Sequence, residues 1–283
     1  MNNAIVKALV IQMRELNSVF IEMTKQNCNL RCSHCYIDFS GKIVKDFIGV
    51  DKVKSALLQA KSSDVKYIHL TGGEPMLHPD FNSILRMCLK VSSVVIHTNG
   101  TLINDKKARF LRKVEDEKDN DFEIIFRISI DHFNEEINDS IRGRGTYRKS
   151  LNALKSLYKY DFNPILTIVN HFNLSDEEIK HEFSQICADF GFETEDLNFK
   201  IIPLFKKGIY GNLENFDSES IRTDCSKSRT VNSKGIFTCP FMANDNRGLC
   251  GSTLADFSSK NYVESDFCTQ CVEYNKSIFC FDW

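Results

Sequence analysis

The sequence carries almost no excess charge. Its 36 lysines and arginines nearly balance 38 aspartates and glutamates, leaving a net charge of −2 over 283 residues. Such a balance gives no electrostatic case for nucleic acid or an anionic membrane as partner. No apolar run approaches the length that spans a bilayer. The opening MNNAIVKALVIQMREL lacks the basic start and long apolar stretch of a secretion signal, and reads instead as a short amphipathic helix. There is no solenoid-type repeat and no low-complexity tract. Eleven cysteines, an odd number in a chain without a secretion signal, argue against a disulfide framework. The expected location is the cytoplasm, where reduced thiols are available to bind metal.

What is present is an ordinary globular composition, 42% apolar and 26% charged, long enough to bury a core without staples. The first two thirds alternate between two kinds of segment. SVFIEMT, KYIHLTGG, VVIHTN, FEIIFRISID, PILTIVN and LNFKIIP are apolar, β-branched runs of strand length. Helical patterns lie between most of them. In VDKVKSALLQA, the residues Val50, Val53, Ala56, Leu57 and Ala60 share one face. In SDEEIKHEFSQICADF, Ser175 and Glu178 form a capping box ahead of Ile179, Phe183, Ile186, Cys187 and Phe190. This rhythm predicts right-handed βαβ units and a parallel α/β sheet. Six strands are too few for a complete eight-stranded barrel; a partial barrel and an open doubly wound sheet both satisfy the pattern.

After about residue 205 apolar periodicity fades, turn residues rise and cysteines cluster, so a boundary is expected there, with a core at 1–205 and a cysteine-rich extension at 206–283. Such a segment has little core of its own and relies on metal for order. Cys88 and Cys187 fall among apolar residues in helical patterns and read as small buried hydrophobes.

The chemistry concentrates in NCNLRCSHCY, residues 27 to 36, which places Cys28, Cys32 and Cys35 just after the first strand. A structural zinc site wants four closed ligands. His34 cannot easily add the fourth, because side chains adjacent along the chain diverge. A distant residue could complete a zinc site. The other solution is a [4Fe-4S] cluster held by three thiolates, with one iron open to something else.

The run resembles the signature loop of radical S-adenosylmethionine (SAM) enzymes, and the resemblance extends over about residues 17 to 203. It implies a partial (β/α)6 TIM barrel in which the open iron is chelated by the amino and carboxylate groups of SAM. There a low-potential donor such as flavodoxin or ferredoxin supplies an electron, and a 5′-deoxyadenosyl radical abstracts hydrogen from the substrate. LTGGEP looks like the family's motif after the second strand, with Gly72 and Gly73 admitting the methionyl group and Glu74 accepting from its ammonium. In HTNG, Asn99 is the counterpart of a polar residue on the adenosine, and Tyr36 matches an aromatic that packs by the adenine. RISID places Ser129, a further residue expected to meet SAM, at the end of the fourth strand, with Asp131 beyond it. SIRGRGTY resembles an Arg-Gly-x-Gly-aromatic segment in which Arg142 pairs with the SAM carboxylate. All these motifs fall at the carboxyl ends of predicted strands, the face where parallel barrels carry their sites.

Strand alternation extends the reading. If Asn99 faces the interior, so does His97; if Ser129 does, so do Arg127 and Asp131. With His69, these make a polar lumen for a polar substrate.

The second cysteine set is Cys225, Cys239, Cys268 and Cys271, with Cys280 in reserve. Gly235, which opens GIFTC, signals a β-hairpin between the first two. Four thiolates could hold zinc or an iron–sulfur cluster. The arrangement resembles the twitch extension of radical SAM enzymes, a shortened SPASM domain, which implies one auxiliary [4Fe-4S] cluster. Cys250, in RGLCGST, is expected in a glycine-flanked loop with no apolar face to fill, where it could return hydrogen to a substrate radical.

The expected reaction is epimerisation or dehydrogenation of a small polar metabolite or a peptide. Crosslink formation in a peptide is an alternative, as is a non-catalytic metal-binding or electron-transfer protein. About sixteen residues precede the first expected strand. No leader-binding domain is expected within them, which favours a small substrate or a peptide delivered by a separate protein.

Overall fold

A computed structural model describes residues 9–12, 15–39, 46–193, 197–209, 226–243, 245–254, 260–263 and 266–274. Strand β1 (Leu9–Gln12) precedes β2 (Ser18–Thr24), helix α1 (Val50–Ser62), β3 (Tyr67–Gly72), α2 (Phe81–Cys88), β4 (Ser93–Thr98) and α3 (Asp105–Asp116). There follow β5 (Ile124–Ser129), α4 (Glu135–Arg142), α5 (Thr146–Lys159), β6 (Ile165–Asn170), α6 (Asp176–Ala188) and β7 (Asn198–Pro203). The remainder supplies β8 (Ser228–Val231), β9 (Ile236–Phe237), β10 (Leu249–Gly251), β11 (Lys260–Val263) and α7 (Asp266–Tyr274).

Among the described residues the main sheet has nine strands, in the order β10-β9-β8-β2-β3-β4-β5-β6-β7. From β8 through β7 every pairing is parallel, while β9 and β10 turn antiparallel at one end. All six expected strands are present, and the sheet is open between its edges β10 and β7. A strand flanked on both sides and covered on both faces reads as an unbroken apolar run. β2 fits that rule, since all seven of its residues are buried.

The helices form where the pattern and the caps agree. α1 buries Val53, Ala56, Leu57 and Ala60, the expected stripe. Ser175 Oγ accepts from Glu178 N and starts α6, Asn104 does the same for α3, and Asn134 for α4. Each capping oxygen satisfies one N–H that the first helical turn leaves without a partner. Cys88 and Cys187 are fully buried in the core, as expected. Among the described residues no helix is long and apolar enough to cross a membrane.

Two expectations change. Residues 9–12, read as part of an amphipathic helix, are a strand paired antiparallel with β11. Val10 and Ile11 favour extended backbone, and the partner that completes their ladder lies some 250 residues away, beyond the reach of local periodicity. The stretch after residue 205 also returns to the main sheet. β8 lies parallel beside β2, with Ser18 opposite Ser228 and Ile21 opposite Val231. Its polar residues Ser228, Arg229 and Thr230 are buried, which is why it carries no strand-like apolar signal. The hairpin expected at Gly235 is present between β8 and β9.

Candidate active site

Parallel strands send their carboxyl ends to one side. Here those ends open into a cleft with about 1100 Å³ of empty space, its mouth included. The loop after β2 brings Cys28, Cys32 and Cys35 into it, with Tyr36 beside them. That loop is built on Thr24, whose Oγ1 accepts from Asn27 N at 3.2 Å and Asn27 Nδ2 at 2.9 Å. Gly73 N then donates to Thr24 O at 2.9 Å, and Glu74 N to Asn27 O at 2.8 Å. The thiol loop is therefore stapled to the glycine turn after β3.

The two glycines make that staple possible. Gly72 has φ +118°, and a Cβ there would lie 2.2 Å from Thr24 O; at Gly73 it would lie 2.3 Å from Asn27 O. Backbone meets backbone at these positions, so only hydrogen fits. Both glycines also line the cleft.

Glu74 is fully buried and is not among the cleft-lining residues. Its carboxylate accepts from Met76 N at 3.1 Å, from Thr98 Oγ1 at 2.9 and 3.0 Å, and from Asn99 N at 3.0 Å. It ties the end of β3 to the end of β4. Burial pushes its carboxyl up to about 7 against the pull of these donors. Asn99 in turn donates to Asn29 Oδ1 at 3.0 Å and places Nδ2 at 3.9 Å from Cys28 Sγ. The three motifs found separately in the sequence form one hydrogen-bonded shelf.

Burial sets the state of the thiols. It pushes Cys28 up to about 11, although Leu30 N donates to its sulfur at 3.4 Å. It raises Cys32 and Cys35 as well, against the nearby Arg142. At neutral pH the bare thiols keep their protons, and a metal would displace them on binding. Three thiols lining one cleft, with a backbone donor on one sulfur, fit an iron–sulfur cluster. Among the described residues the one group of three such ligand atoms within 4.8 Å of one another is His34, Asp131 and His171, which does not include the thiols. His34 instead sends Nε2 to within 3.6 Å of Asp131 Oδ2, and burial pushes its imidazole down to about 4.

Ser129 and Arg142 line the cleft as expected. Arg142, at the carboxyl end of α4, grips Asp131 through two nitrogens, at 2.9 Å to Oδ1 and 2.7 Å to Oδ2. Asp131 also accepts from Val169 N at 3.1 Å. Burial alone would raise the Asp131 carboxyl, but Arg142 and His34 outweigh it and hold it below the ordinary carboxylate range. Asp131 was expected in the lumen and does not line the cleft. β5 ends at Ser129, so the alternation that places Arg127 and Ser129 inside stops two residues short of it.

His97 and Arg127 both line the cleft, in register on neighbouring strands. His97 Nε2 lies 3.1 Å from His69 Nδ1, and His69 stacks on Phe20 with ring centroids 4.1 Å apart. Burial, with Arg127 adding to it, drives both imidazoles well below their ordinary value, so both are neutral at pH 7.

Cys239, Cys268 and Cys271 are half-buried; Cys225 and Cys280 lie outside the described residues. Phe241, just after Cys239, stacks on Phe267, just before Cys268, at 5.0 Å and 9°. Both rings line the cleft, and Tyr36 meets Phe241 edge-on at 5.2 Å. No periodicity marks these two phenylalanines. Their one sequence signal is closeness to cysteines, two residues from Cys239 for Phe241 and one from Cys268 for Phe267. Cys250 differs from its expectation. It lies within β10, packs against the hydrophobic core and donates to Gly248 O at 3.5 Å, away from the cleft. A Cβ on Gly248 would clash with Met242, so that glycine serves a close chain crossing and not a mobile loop.

Comparison with known proteins agrees with this geometry. The sequence profile of the Radical SAM superfamily matches residues 24–186. The antilisterial bacteriocin subtilosin biosynthesis protein AlbA of Bacillus subtilis is 29% identical over 174 residues, which cover 61% of this chain and 37% of AlbA. Mycofactocin maturase MftC of Mycolicibacterium smegmatis is 28% identical over 58% of this chain and 40% of its own. The chain thus spans less than half the length of these relatives. Among solved structures, anSMEcpe with bound AdoMet superposes with a TM-score of 0.61 at 18% identity, over 84% of this chain and 79% of that one. Streptococcus suis SuiB bound to precursor peptide SuiA gives 0.60 at 15% identity, over 83% and 62%. These two likenesses are of fold.

Proposed function

We propose a reaction from one premise: this chain belongs to the radical SAM superfamily. Cys28, Cys32 and Cys35 would hold a [4Fe-4S] cluster and leave its fourth iron to the amino and carboxylate groups of SAM. When bound, that pair supplies a 5′-deoxyadenosyl radical, at the expense of one electron from a low-potential donor such as flavodoxin or ferredoxin.

The residues around it bind and orient. Arg142, held in place by Asp131, offers its guanidinium to the SAM carboxylate. Tyr36 packs by the adenine and Asn99 meets the adenosine, while Glu74 and the Gly72–Gly73 backbone shape the methionyl end. One observation carries this reading: the thiols, the glycines, Asn99, Ser129 and Arg142 come from five separate segments and line a single cleft.

The substrate we infer is a peptide or a small polar molecule, acted on at an unactivated carbon. Likeness to AlbA and MftC favours the peptide. Cys239, Cys268 and Cys271, with Cys225, are proposed to hold a second [4Fe-4S] cluster in a twitch-like segment spanning 206–283. The stacked Phe241 and Phe267 support this by bringing two of the cysteine-bearing segments together. Hydrogen abstraction then leads to epimerisation or dehydrogenation, with crosslinking as the third outcome. Turnover in deuterated water separates them. Epimerisation adds one deuterium at the inverted carbon. Dehydrogenation and crosslinking each remove two hydrogens, and fragmentation locates the loss within one residue or between two. An unchanged, undeuterated product in every case would contradict the reading.

Two further results are expected. Glu74 was expected to accept from the SAM ammonium, but it is buried behind the cleft and reaches it only through Thr98 and Asn99. Glu74→Gln weakens a charge-assisted acceptor worth about 1.5–3 kcal/mol to that shelf, so SAM binding measured by equilibrium dialysis should weaken by up to about tenfold; an unchanged dissociation constant would refute this positioning role. Alanine at His97 or Arg127 should impair substrate turnover more than uncoupled SAM cleavage. Equal loss of both would make these residues structural.

A further inference from the structure

The cleft floor carries a second guanidinium besides the one proposed to meet SAM. Two guanidiniums line the cleft, Arg127 and Arg142, and no Asp, Glu or Lys joins them among the described lining residues. Arg142 is engaged by Asp131. Arg127 lies on β5, away from that pair, and is 2% exposed. Its Nε donates to Thr167 Oγ1 at 3.1 Å, which anchors the guanidinium across β5 and β6. Ser129 sits opposite Thr167 in register, and both line the cleft. One corner of the floor therefore gathers a guanidinium and two hydroxyls. The wall from the end of β7 is apolar, with Ile202, Pro203 and Phe205.

We propose that Arg127 and Thr167 form a subsite for a carboxylate of the substrate, beside the SAM-facing Ser129, with the adjoining hydrocarbon against Ile202 and Phe205. A planar guanidinium matches the two-oxygen edge of a carboxylate. Among the described residues no additional lysine or arginine lines the floor to neutralise a dianionic phosphate. The subsite rests on the radical SAM reading for the identity of the cleft and adds to it the class of substrate. The carboxylate belongs either to a free small acid or to a peptide.

Calorimetry on the anaerobically reconstituted, SAM-loaded protein tests this with matched acid and amide probes. 3-Phenylpropionate against its amide probes the free acid. Acetyl-Ala-Ala-Phe with a free or amidated terminus probes the peptide. In at least one arm the acid should bind about ten- to a hundredfold tighter than its amide, and that arm identifies the source. The preference should vanish in Arg127→Met and survive in part in Arg127→Lys. Circular dichroism checks the fold of each. If Arg127→Met does not fold, Thr167→Val should lower the acid preference severalfold. Equal binding of acid and amide in both arms overturns the subsite. So does a preference that Arg127→Met, or in its absence Thr167→Val, leaves intact. Tighter competition by inorganic phosphate than by either acid overturns it too. The same wild-type preparation is assayed for 5′-deoxyadenosine. Its absence sinks the parent reading, whereas its presence without acid preference sinks only the subsite.

Discussion

Replacing Cys28, Cys32 and Cys35 together by alanine should remove the iron and sulfide of one cluster and abolish SAM cleavage after anaerobic reconstitution. The reasoning is local. The three thiols line one cleft, and the His34, Asp131 and His171 group beside them offers no thiolate to take their place. The loop itself should survive, because its staples are not the thiols. Thr24 holds Asn27, Asn27 O receives Glu74 N, and Ser33 N donates to Ile141 O at 2.9 Å. The variant is therefore expected to fold and to retain any iron held at Cys239, Cys268 and Cys271. Iron and sulfide counts equal to wild type would mean that the assignment of these thiols is wrong.

The second large effect is expected from Asp131→Asn. Arg142 is buried at 6% exposure, and its charge is met by Asp131 through two contacts. Removing one partner of a buried pair strands the other, at a cost of about 3–5 kcal/mol. Urea unfolding of the cluster-free chain at pH 7 measures it. The pH dependence has a fixed sign. The folded carboxyl of Asp131 lies below its ordinary value, so the unfolded chain takes up this proton first as pH falls. Its contribution is thus present at neutral pH and is lost as pH drops through the depressed folded value. The gap between wild type and Asp131→Asn should accordingly narrow in acid. A gap below 1 kcal/mol at pH 7, or one that widens in acid, would refute the pairing argument.

Much of the fold was legible because the strands that matter are buried on both faces. SVFIEMT, VVIHTN and PILTIVN announce themselves by composition, and β2, β4 and β6 appear within a residue or so of them. β8 was hidden for the opposite reason, since Ser228, Arg229 and Thr230 are buried but polar. β1 was hidden by distance, because its partner is near the other end of the chain.

The site shows the same division. Residues on one loop or one strand face could be brought to the cleft from the sequence: Cys28, Cys32 and Cys35 by their resemblance to a signature loop, His97 and Arg127 by strand alternation from the motif residues beside them. Whatever depends on where an element stops could not. Asp131 follows the alternation on paper, but β5 has ended before it. Cys250 looked like a loop thiol, and pairing between β9 and β10 made it part of a strand. Gly72 and Gly73 were expected to admit a ligand. The structure adds that they admit the backbone of the thiol loop, a contact between segments that no local pattern encodes. His34 and the Phe241–Phe267 pair belong to the same class, being positioned by partners far off in sequence.

The most direct test is the fate of SAM itself. The wild-type chain, reconstituted with iron and sulfide under anaerobic conditions and reduced with dithionite, is incubated with SAM and analysed by mass spectrometry for 5′-deoxyadenosine. The cleft described here predicts its formation in wild type and none in the triple alanine variant. Full iron loading in wild type with intact SAM and no 5′-deoxyadenosine would contradict it.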